Sequence, residues 1–309
     1  MPPAKSVLAH LLWVLQSGSV KMKGLKPVLL LIGVMLVGSG CASWSHGWDM
    51  KPYKASGKRD LDEVKEYAER LEQAAVTRPQ VQNLIKQLKY IVGAEPDNFD
   101  ATVKLSQAWI VKAIGHPRDT GEQGDSLRRA ITLAERAMSL NPDFLAAVRA
   151  VPKGKVSDAV STLDASYAPA VATWSLATML YFEESLSEVL KITNSEVLDD
   201  VQVALSWMEE KAPDYNGHVV LALKGMAAAV RSGADMVCVS ANFDAAVQAS
   251  PDSMLNLWLR SKYLYRNFGD KVSERTDLKA IRDLKVEHSP GFTPLNRMIR
   301  LMAEKKYKH

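Results

Sequence analysis

The first residue whose chemistry the sequence singles out is Cys41. It directly follows the small residues Gly38-Ser39-Gly40. An apolar run, Val28 to Val37, precedes these small residues, and three lysines precede the run. A helix needs about 20 apolar residues to cross a bilayer, so this run is too short to be a membrane span. A basic start, a short apolar run and small residues are typical of an export signal that is cleaved after the small residues.

The stretch from Met22 to Cys41 resembles a bacterial lipoprotein signal, in which cleavage precedes the cysteine and its thiol receives a diacylglyceryl group. The resemblance departs at Gly38, where such signals usually have an aliphatic residue. It implies that Cys41 is lipidated and anchors a periplasm-facing protein to the cell envelope, and Ala42 in place of aspartate favours the outer membrane. A plain secretory signal, or a membrane anchor with an incidental cysteine, is the alternative.

This signal divides the chain into three parts. Residues 1–40 are predicted to be a leader, in which 1–21 are a start-site artefact ahead of Met22; an unusually long basic start is the alternative. Residues 41–60 are polar and lack a helical period, which predicts a lipidated flexible tether. Residues 61–309 are then the folded domain.

The leader also accounts for the basic charge of the chain. The whole chain has 39 Lys and Arg against 35 Asp and Glu, and its first 41 residues contain four lysines and no acid. The remainder therefore has no net charge, which argues against nucleic-acid binding. The signal resemblance implies that the protein contacts the membrane through the lipid on Cys41.

Catalytic and metal-binding patterns are missing from the sequence. The six histidines form no His-x-x-x-His pair, and no Cys-x-x-Cys, Gly-x-Ser-x-Gly or phosphate-binding glycine loop occurs. We therefore expect no catalysis, no cofactor and no metal. With Cys41 lipidated, Cys238 has no disulfide partner, and its apolar neighbours predict a buried thiol.

A proline that ends one helix before the next recurs along the folded domain. Pro-Asp pairs begin at Pro96, Pro142, Pro213 and Pro251, and Pro290-Gly291 is a weaker fifth. Their spacings lie above the roughly 34-residue period of tetratricopeptide (TPR) repeats, and the longest covers two units. Proline ends a helix because it has no N–H, and the aspartate can cap the helix that follows.

The positions 12, 8 and 5 residues before each Pro-Asp pair are apolar in all four cases. Strand signals are scarce, so this stripe predicts an all-α fold: a right-handed superhelical stack of helical hairpins, or divergent TPR-like α-solenoid. The twelve residues are Leu84, Leu88, Val92, Ala130, Ala134, Ala137, Val201, Leu205, Met208, Val239, Phe243 and Ala246.

The mature chain resembles the T component, a lipoprotein of tripartite ATP-independent periplasmic (TRAP) transporters. The stretch from Tyr167 to Tyr215 carries the resemblance: a helix with Pro169-Ala170 and Trp174, and a later helix that ends in Pro213-Asp214-Tyr215. The family usually has a Gly-rich turn at the next position, whereas Asn216-Gly217-His218 contains a single glycine.

The resemblance implies a non-catalytic helical-repeat subunit that binds the transporter's periplasmic solute-binding protein. It also implies a homo-oligomer around a pore and a hydrophobic ligand. The alternative is a general TPR scaffold lipoprotein for envelope or outer-membrane assembly.

Five side chains are candidates for lining a pore or holding a ligand. Two lie in the polar, Gly-rich stretch from Gly115 to Gly124, and three are aromatic. A solvated connector and the hairpin core are the respective alternatives. The five are Trp109, His116, Arg118, Trp174 and Tyr181.

Overall fold

The computed structural model describes residues 45–55, 57–231 and 233–307, which belong to one compact unit. The predicted leader and Cys41 lie outside these ranges. Every regular element in the described part of the chain is helical, so the all-α prediction is confirmed and the packing is solenoid-like. No helix within these ranges is both long and apolar enough to cross a membrane.

The α-helices are numbered here in chain order, and short 3₁₀ turns and one π-helical turn, Ser261–Arg266, stand between some of them. They are α1 (Leu61–Ala74), α2 (Arg78–Ala94), α3 (Phe99–Gly115), α4 (Thr120–Met138), α5 (Pro142–Ala150), α6 (Val156–Ala159), α7 (Ala168–Ser185), α8 (Glu188–Thr193), α9 (Glu196–Lys211), α10 (Tyr215–Ala229), α11 (Met236–Ala249), α12 (Met254–Arg260), α13 (Lys271–Asp283) and α14 (Thr293–Tyr307).

Consecutive helices pack as hairpins in the pairs α1–α2, α3–α4, α10–α11 and α13–α14. The prediction of an apolar stripe is confirmed, since all twelve side chains before the Pro-Asp pairs are buried, none more than 3% exposed. Residues spaced by three, four or seven positions share one helix face, and burial of that face stabilises the hairpins. The prolines also separate helices as predicted.

The residues that cap the helices differ from the prediction. The aspartates of the Pro-Asp pairs do not cap the next helix by a side-chain hydrogen bond. Asn98, Asn141 and Ser253 do so instead, accepting backbone N–H groups of α3, α5 and α12. Each stands immediately before its helix, where the side-chain oxygen reaches the free N–H groups of the first turn.

The predicted double repeat between Pro142 and Pro213 is irregular. Helix α5 has nine residues and α6 has four, and the long helix α7 follows them. Thirteen of the 18 residues of α7 are buried, and this helix packs on α4, α9, α10 and α3. A helix that is apolar on all sides belongs in a core, and α7 forms the centre of this one.

The C-terminal helix closes the stack instead of extending it. Helix α14 packs on α13 and α12 and also on α3 and α1. Its Met298 lies so close to Gly115 that a Cβ there would be 2.2 Å from the methionine Sδ. The absence of a side chain at Gly115 thus leaves room for Met298 between α3 and α14.

The predicted tether differs from the structure over residues 46–49. Gly47–Asp49 form a 3₁₀ turn, and Gly47 and Trp48 are buried. The Gly47 N–H donates to Glu135 Oε2 on α4 at 2.7 Å. A Cβ on Gly47 would be 2.0 Å from the backbone oxygen of Thr132, so only glycine fits so close to α4. Polar composition predicted a free segment, whereas Gly47 and Trp48 are buried against the helical stack.

Three consecutive residues at the start of α10 adopt left-handed backbone angles. Asn216, Gly217 and His218 have φ values of 51°, 63° and 57°. This conformation is unfavourable for residues other than glycine. The turn is held in place by Asn256, whose Nδ2 donates to the Gly217 carbonyl at 2.8 Å.

Replacing Gly217 with alanine should destabilise the protein by about 2–4 kcal/mol, which combines left-handed strain with overpacking. The new Cβ would lie 2.6 Å from Ser250 Oγ and 2.7 Å from Pro290 Cγ. Gly233→Ala is the matched control, because Gly233 has φ +76° but nothing within 4 Å of its Cβ position. Urea denaturation measures the free energy of unfolding of both variants. Equal losses of stability would show that the contacts around Gly217 add nothing to the cost of the substitution.

Candidate functional site

The most unusual group of side chains surrounds the indole ring of Trp109 on α3. Three cations lie close to this ring: Lys89 Nζ at 5.0 Å, Lys112 Nζ at 4.8 Å and Arg129 Cζ at 5.1 Å from the centroid. Tyr53 approaches from the N-terminal segment, with Lys89 Nζ 5.6 Å from its ring centroid. We call these five residues the Trp109 cluster.

Four separate parts of the chain bring the Trp109 cluster together. Lys89 lies on α2, Trp109 and Lys112 lie one turn apart on α3, and Arg129 lies on α4. Packing of α2 on α3 and of α3 on α4 therefore places the cations around one aromatic ring. Cations are attracted to the face of an indole ring, and this attraction offsets part of their mutual repulsion.

The positive charge of the Trp109 cluster is only partly neutralised. Lys112 Nζ lies 3.2 Å from Glu122 Oε1. In the described part of the chain, Lys89 and Arg129 form no ion pair with a carboxylate. Partial burial, together with the charges of Arg129 and Lys112, lowers the pKa of Lys89. Lys89 and Arg129 thus leave two positive charges beside Trp109 without a carboxylate partner in the described part of the chain.

Glu122 connects the cluster to one of the predicted residues, Arg118. Its carboxylate accepts hydrogen bonds from the Arg118 backbone N–H at 2.8 Å and from Arg78 Nη2 at 2.7 Å, in addition to the ion pair with Lys112. The side chain and backbone of Arg118, with Lys112 and Arg78, lower the pKa of Glu122 to about 2. The Glu122 carboxylate is thus ionised at neutral pH and paired with Arg78, Lys112 and Arg118.

The other predicted residues divide between surface and core. His116 Nε2 lies 2.8 Å from the Val76 carbonyl, so it ties the end of α3 to the loop before α2. Trp174 is buried in the central helix α7, as its alternative interpretation predicted. Tyr181, also on α7, lies beside Arg128 on α4, with a centroid distance of 6.0 Å. The five predicted residues thus do not form one cavity.

The polar stretch from Gly115 to Gly124 is shorter as a connector than predicted. Helix α3 ends at Gly115 and α4 begins at Thr120. Asp119 caps α4, because its Oδ1 accepts the Glu122 N–H at 2.7 Å. An aspartate three residues before a glutamate is a helix-start signal, and it assigns the second half of this stretch to α4.

A second concave surface lies between α13 and α14, with a volume of about 970 Å³. The apolar side chains that line it include Val272, which is 78% exposed, and Tyr307, which is 45% exposed. Its charged residues are four cations and one acid, Glu274, which pairs with Lys306. We call this surface the α13–α14 groove, and its residues are Lys271, Val272, Glu274, Arg275, Thr276, Leu278, Lys279, Lys306 and Tyr307.

The apolar space between α3, α7 and α10 is small. A cavity there, lined by residues such as Ile110, Leu176 and Leu223, has a volume of about 30 Å³. That is room for about one water molecule. This one cavity is therefore too small for a ligand larger than water.

The sequence interpretation also missed several residues of these surfaces. Lys89 and Arg129 are ordinary solvated charges in the sequence, and only the packing of three helices brings them to Trp109. Tyr53 lies in the predicted tether.

Cys238 is exposed at the start of α11, so the prediction of a buried thiol is wrong. Its apolar neighbours Met236 and Val237 are exposed as well.

No three His, Cys, Asp or Glu side chains within the described ranges come together as a metal site. Neither a protein-family model nor a curated protein matches this chain. The described part of the chain is an all-α, solenoid-like stack that carries two basic surfaces, the Trp109 cluster and the α13–α14 groove.

Proposed function

We propose that this protein is a non-catalytic, lipid-anchored helical-repeat subunit of a TRAP transport system. In this proposal Cys41 carries the lipid, and the folded domain binds the periplasmic solute-binding protein. The solenoid-like packing supports the proposal, because stacked helical hairpins present long surfaces for other proteins. The resemblance of Tyr167 to Tyr215 to the T component supplies the identity of the partner.

The α13–α14 groove is the observation that carries the binding role. Exposed apolar side chains with charged residues around them are typical of protein interfaces, whose centres are apolar and whose rims are polar. Val272 is one of the most exposed apolar residues in the described part of the chain. The basic surroundings of Val272 favour a partner with an acidic surface.

The partner is tested by capture from periplasmic extract with the tagged protein, followed by mass spectrometry. We expect a solute-binding protein at near-stoichiometric amounts. Val272→Asp should reduce its recovery about tenfold or more, because it places a carboxylate at the apolar centre of the groove. Val237→Asp is the matched control, since Val237 is 75% exposed on α11, and it should capture as much as the wild type.

The alternative function is a general scaffold for envelope or outer-membrane assembly. Recovery of assembly components without a solute-binding protein would favour that alternative and contradict our proposal. Equal capture by the Val272→Asp and Val237→Asp variants would contradict the assignment of the α13–α14 groove. Homo-oligomerisation around a pore belongs to the same proposal, and sedimentation of the purified protein measures it.

A further inference from the structure

We propose that the Trp109 cluster binds a small dianionic oxyanion, either a phosphate or a dicarboxylate. Two cations of the cluster, Lys89 and Arg129, have no carboxylate partner in the described part of the chain. They come from different helices, α2 and α4, and meet at one ring. A ligand with two negative charges would neutralise both of them.

The repulsion within the cluster is the first step of the argument. Lys89, Lys112 and Arg129 each lie about 5 Å from the same centroid. Glu122 offsets only the charge of Lys112, and it is shared with Arg78 and Arg118. Like charges held together without counter-ions are unfavourable, and a bound anion would offset their repulsion.

An unpaired donor is the second and independent observation. Trp109 is 7% exposed, and its Nε1 is buried with no hydrogen-bond partner. A buried N–H group is normally paired, since an unpaired one carries its full desolvation cost. Nε1 belongs to the same ring, so it lies within roughly 7 Å of all three cations. An oxyanion with hydrogen bonds of about 3 Å can span that separation.

The chemistry of the donors favours an oxyanion over a halide. The guanidinium of Arg129 presents parallel N–H groups, which match two oxygens of a phosphate or carboxylate. The ammonium of Lys89 adds a compact charge and further donors. Tyr53 covers one side of Lys89, and burial raises the pKa of the Tyr53 hydroxyl, which therefore remains a neutral hydrogen-bond donor at neutral pH. The site thus combines two charges with two neutral donors.

Isothermal titration calorimetry on the full protein in detergent tests this inference, with inorganic phosphate and succinate as probes at constant ionic strength. Acetate and chloride serve as monoanionic comparisons. We expect phosphate or succinate to bind at least about tenfold more tightly than acetate, because only a dianion neutralises both cations. Binding of phosphate alone, or of succinate alone, identifies which of the two anions the site accepts.

Single substitutions locate the binding. Lys89→Met and Arg129→Gln should each weaken it about tenfold or more, whereas Lys285→Met and Arg70→Gln, at exposed residues outside the cluster and the α13–α14 groove, should leave it unchanged. Lys89→Met removes repulsion, so its melting temperature should equal or exceed that of the wild type, which separates lost binding from lost folding. Trp109→Phe keeps an aromatic ring but removes the N–H, and should also weaken binding.

The inference is independent of the α13–α14 groove and of the transporter partner. It is overturned if neither phosphate nor succinate binds at roughly 10 mM, a concentration that reveals affinities of a few kcal/mol. Undiminished binding by both Lys89→Met and Arg129→Gln would overturn it as well. Val272→Asp should bind the anion normally, so failure of the partner assignment and failure of this site are distinguishable.

Discussion

Replacing Arg260 with alanine should lower the free energy of unfolding by about 3–5 kcal/mol. Arg260 forms a two-point ion pair with Asp277, with Nε–Oδ2 at 2.9 Å and Nη2–Oδ1 at 2.7 Å. The Asp277 side chain is only 3% exposed. Loss of the guanidinium would therefore leave a buried carboxylate without its countercharge, which is far more costly than loss of a surface pair.

The loss of unfolding free energy in Arg260→Ala should depend on pH in a defined direction. Burial raises the pKa of Asp277 above its ordinary value of 3.8 even with Arg260 in place. Without the arginine this pKa rises further. A raised folded-state pKa makes folding most favourable at low pH, where the carboxyl is protonated in both states. The loss in Arg260→Ala should thus shrink as the pH falls towards 4 and remain full at neutral pH.

Urea denaturation at several pH values measures both effects. Arg70→Ala is the control, because its pair with Glu66 is at the surface, with side chains 60% and 69% exposed. That variant should lose no more than about 1 kcal/mol. The double variant Arg260→Met with Asp277→Leu should recover much of the loss, since apolar residues can replace a buried pair. A loss below 1 kcal/mol in Arg260→Ala would contradict the argument.

The parts of the fold that follow from local periodicity could be predicted from the sequence. Leu84, Leu88 and Val92 lie on one face of α2 because a helix repeats every 3.6 residues, and each is buried. Proline ends a helix for a reason contained in one residue, its missing N–H. Such features need no knowledge of distant parts of the chain, and the interpretation of the hairpins was correct for that reason.

Contacts between distant residues could not be predicted in the same way. Gly47 and Glu135 are 88 residues apart, and no local pattern joins them. The same holds for α14 on α3 and for Lys89 and Arg129 at Trp109. Cys238 shows the converse error: its apolar neighbours Met236 and Val237 are exposed at the start of α11 together with the thiol, so apolar neighbours in the sequence did not indicate burial. The candidate site therefore emerges only from tertiary packing.

Replacing Trp48 with alanine should release the N-terminal segment from α4. Trp48 is 7% exposed, its ring contacts Phe144 at a centroid distance of 6.3 Å, and its carbonyl accepts a hydrogen bond from Arg149 Nη2 at 3.1 Å. Truncation of a buried tryptophan costs about 3–5 kcal/mol. The loss should be local, because the segment is held to the helical stack by few residues.

Hydrogen exchange at the Gly47 amide measures this release, since its N–H is buried against Glu135. We expect protection to fall about 100-fold or more in Trp48→Ala, while amides in the core of α7 change little. Equal losses of hydrogen-exchange protection at Gly47 and throughout α7 would contradict a local release. They would show instead that the segment is part of the cooperative core.

The docked segment should also respond to pH through His46. His46 Nδ1 lies 3.5 Å from Glu135 Oε1, and interaction with the Glu135 carboxylate raises the pKa of His46 above 6.5. A raised folded-state pKa means that the stabilisation is complete below pH 6.5 and is lost as the pH rises through the folded-state value. Gly47 protection should therefore decrease as the pH rises above 6.5 in the wild type but not in His46→Gln. A wild-type profile that matches His46→Gln would assign the docking to Trp48 and the Gly47 hydrogen bond alone.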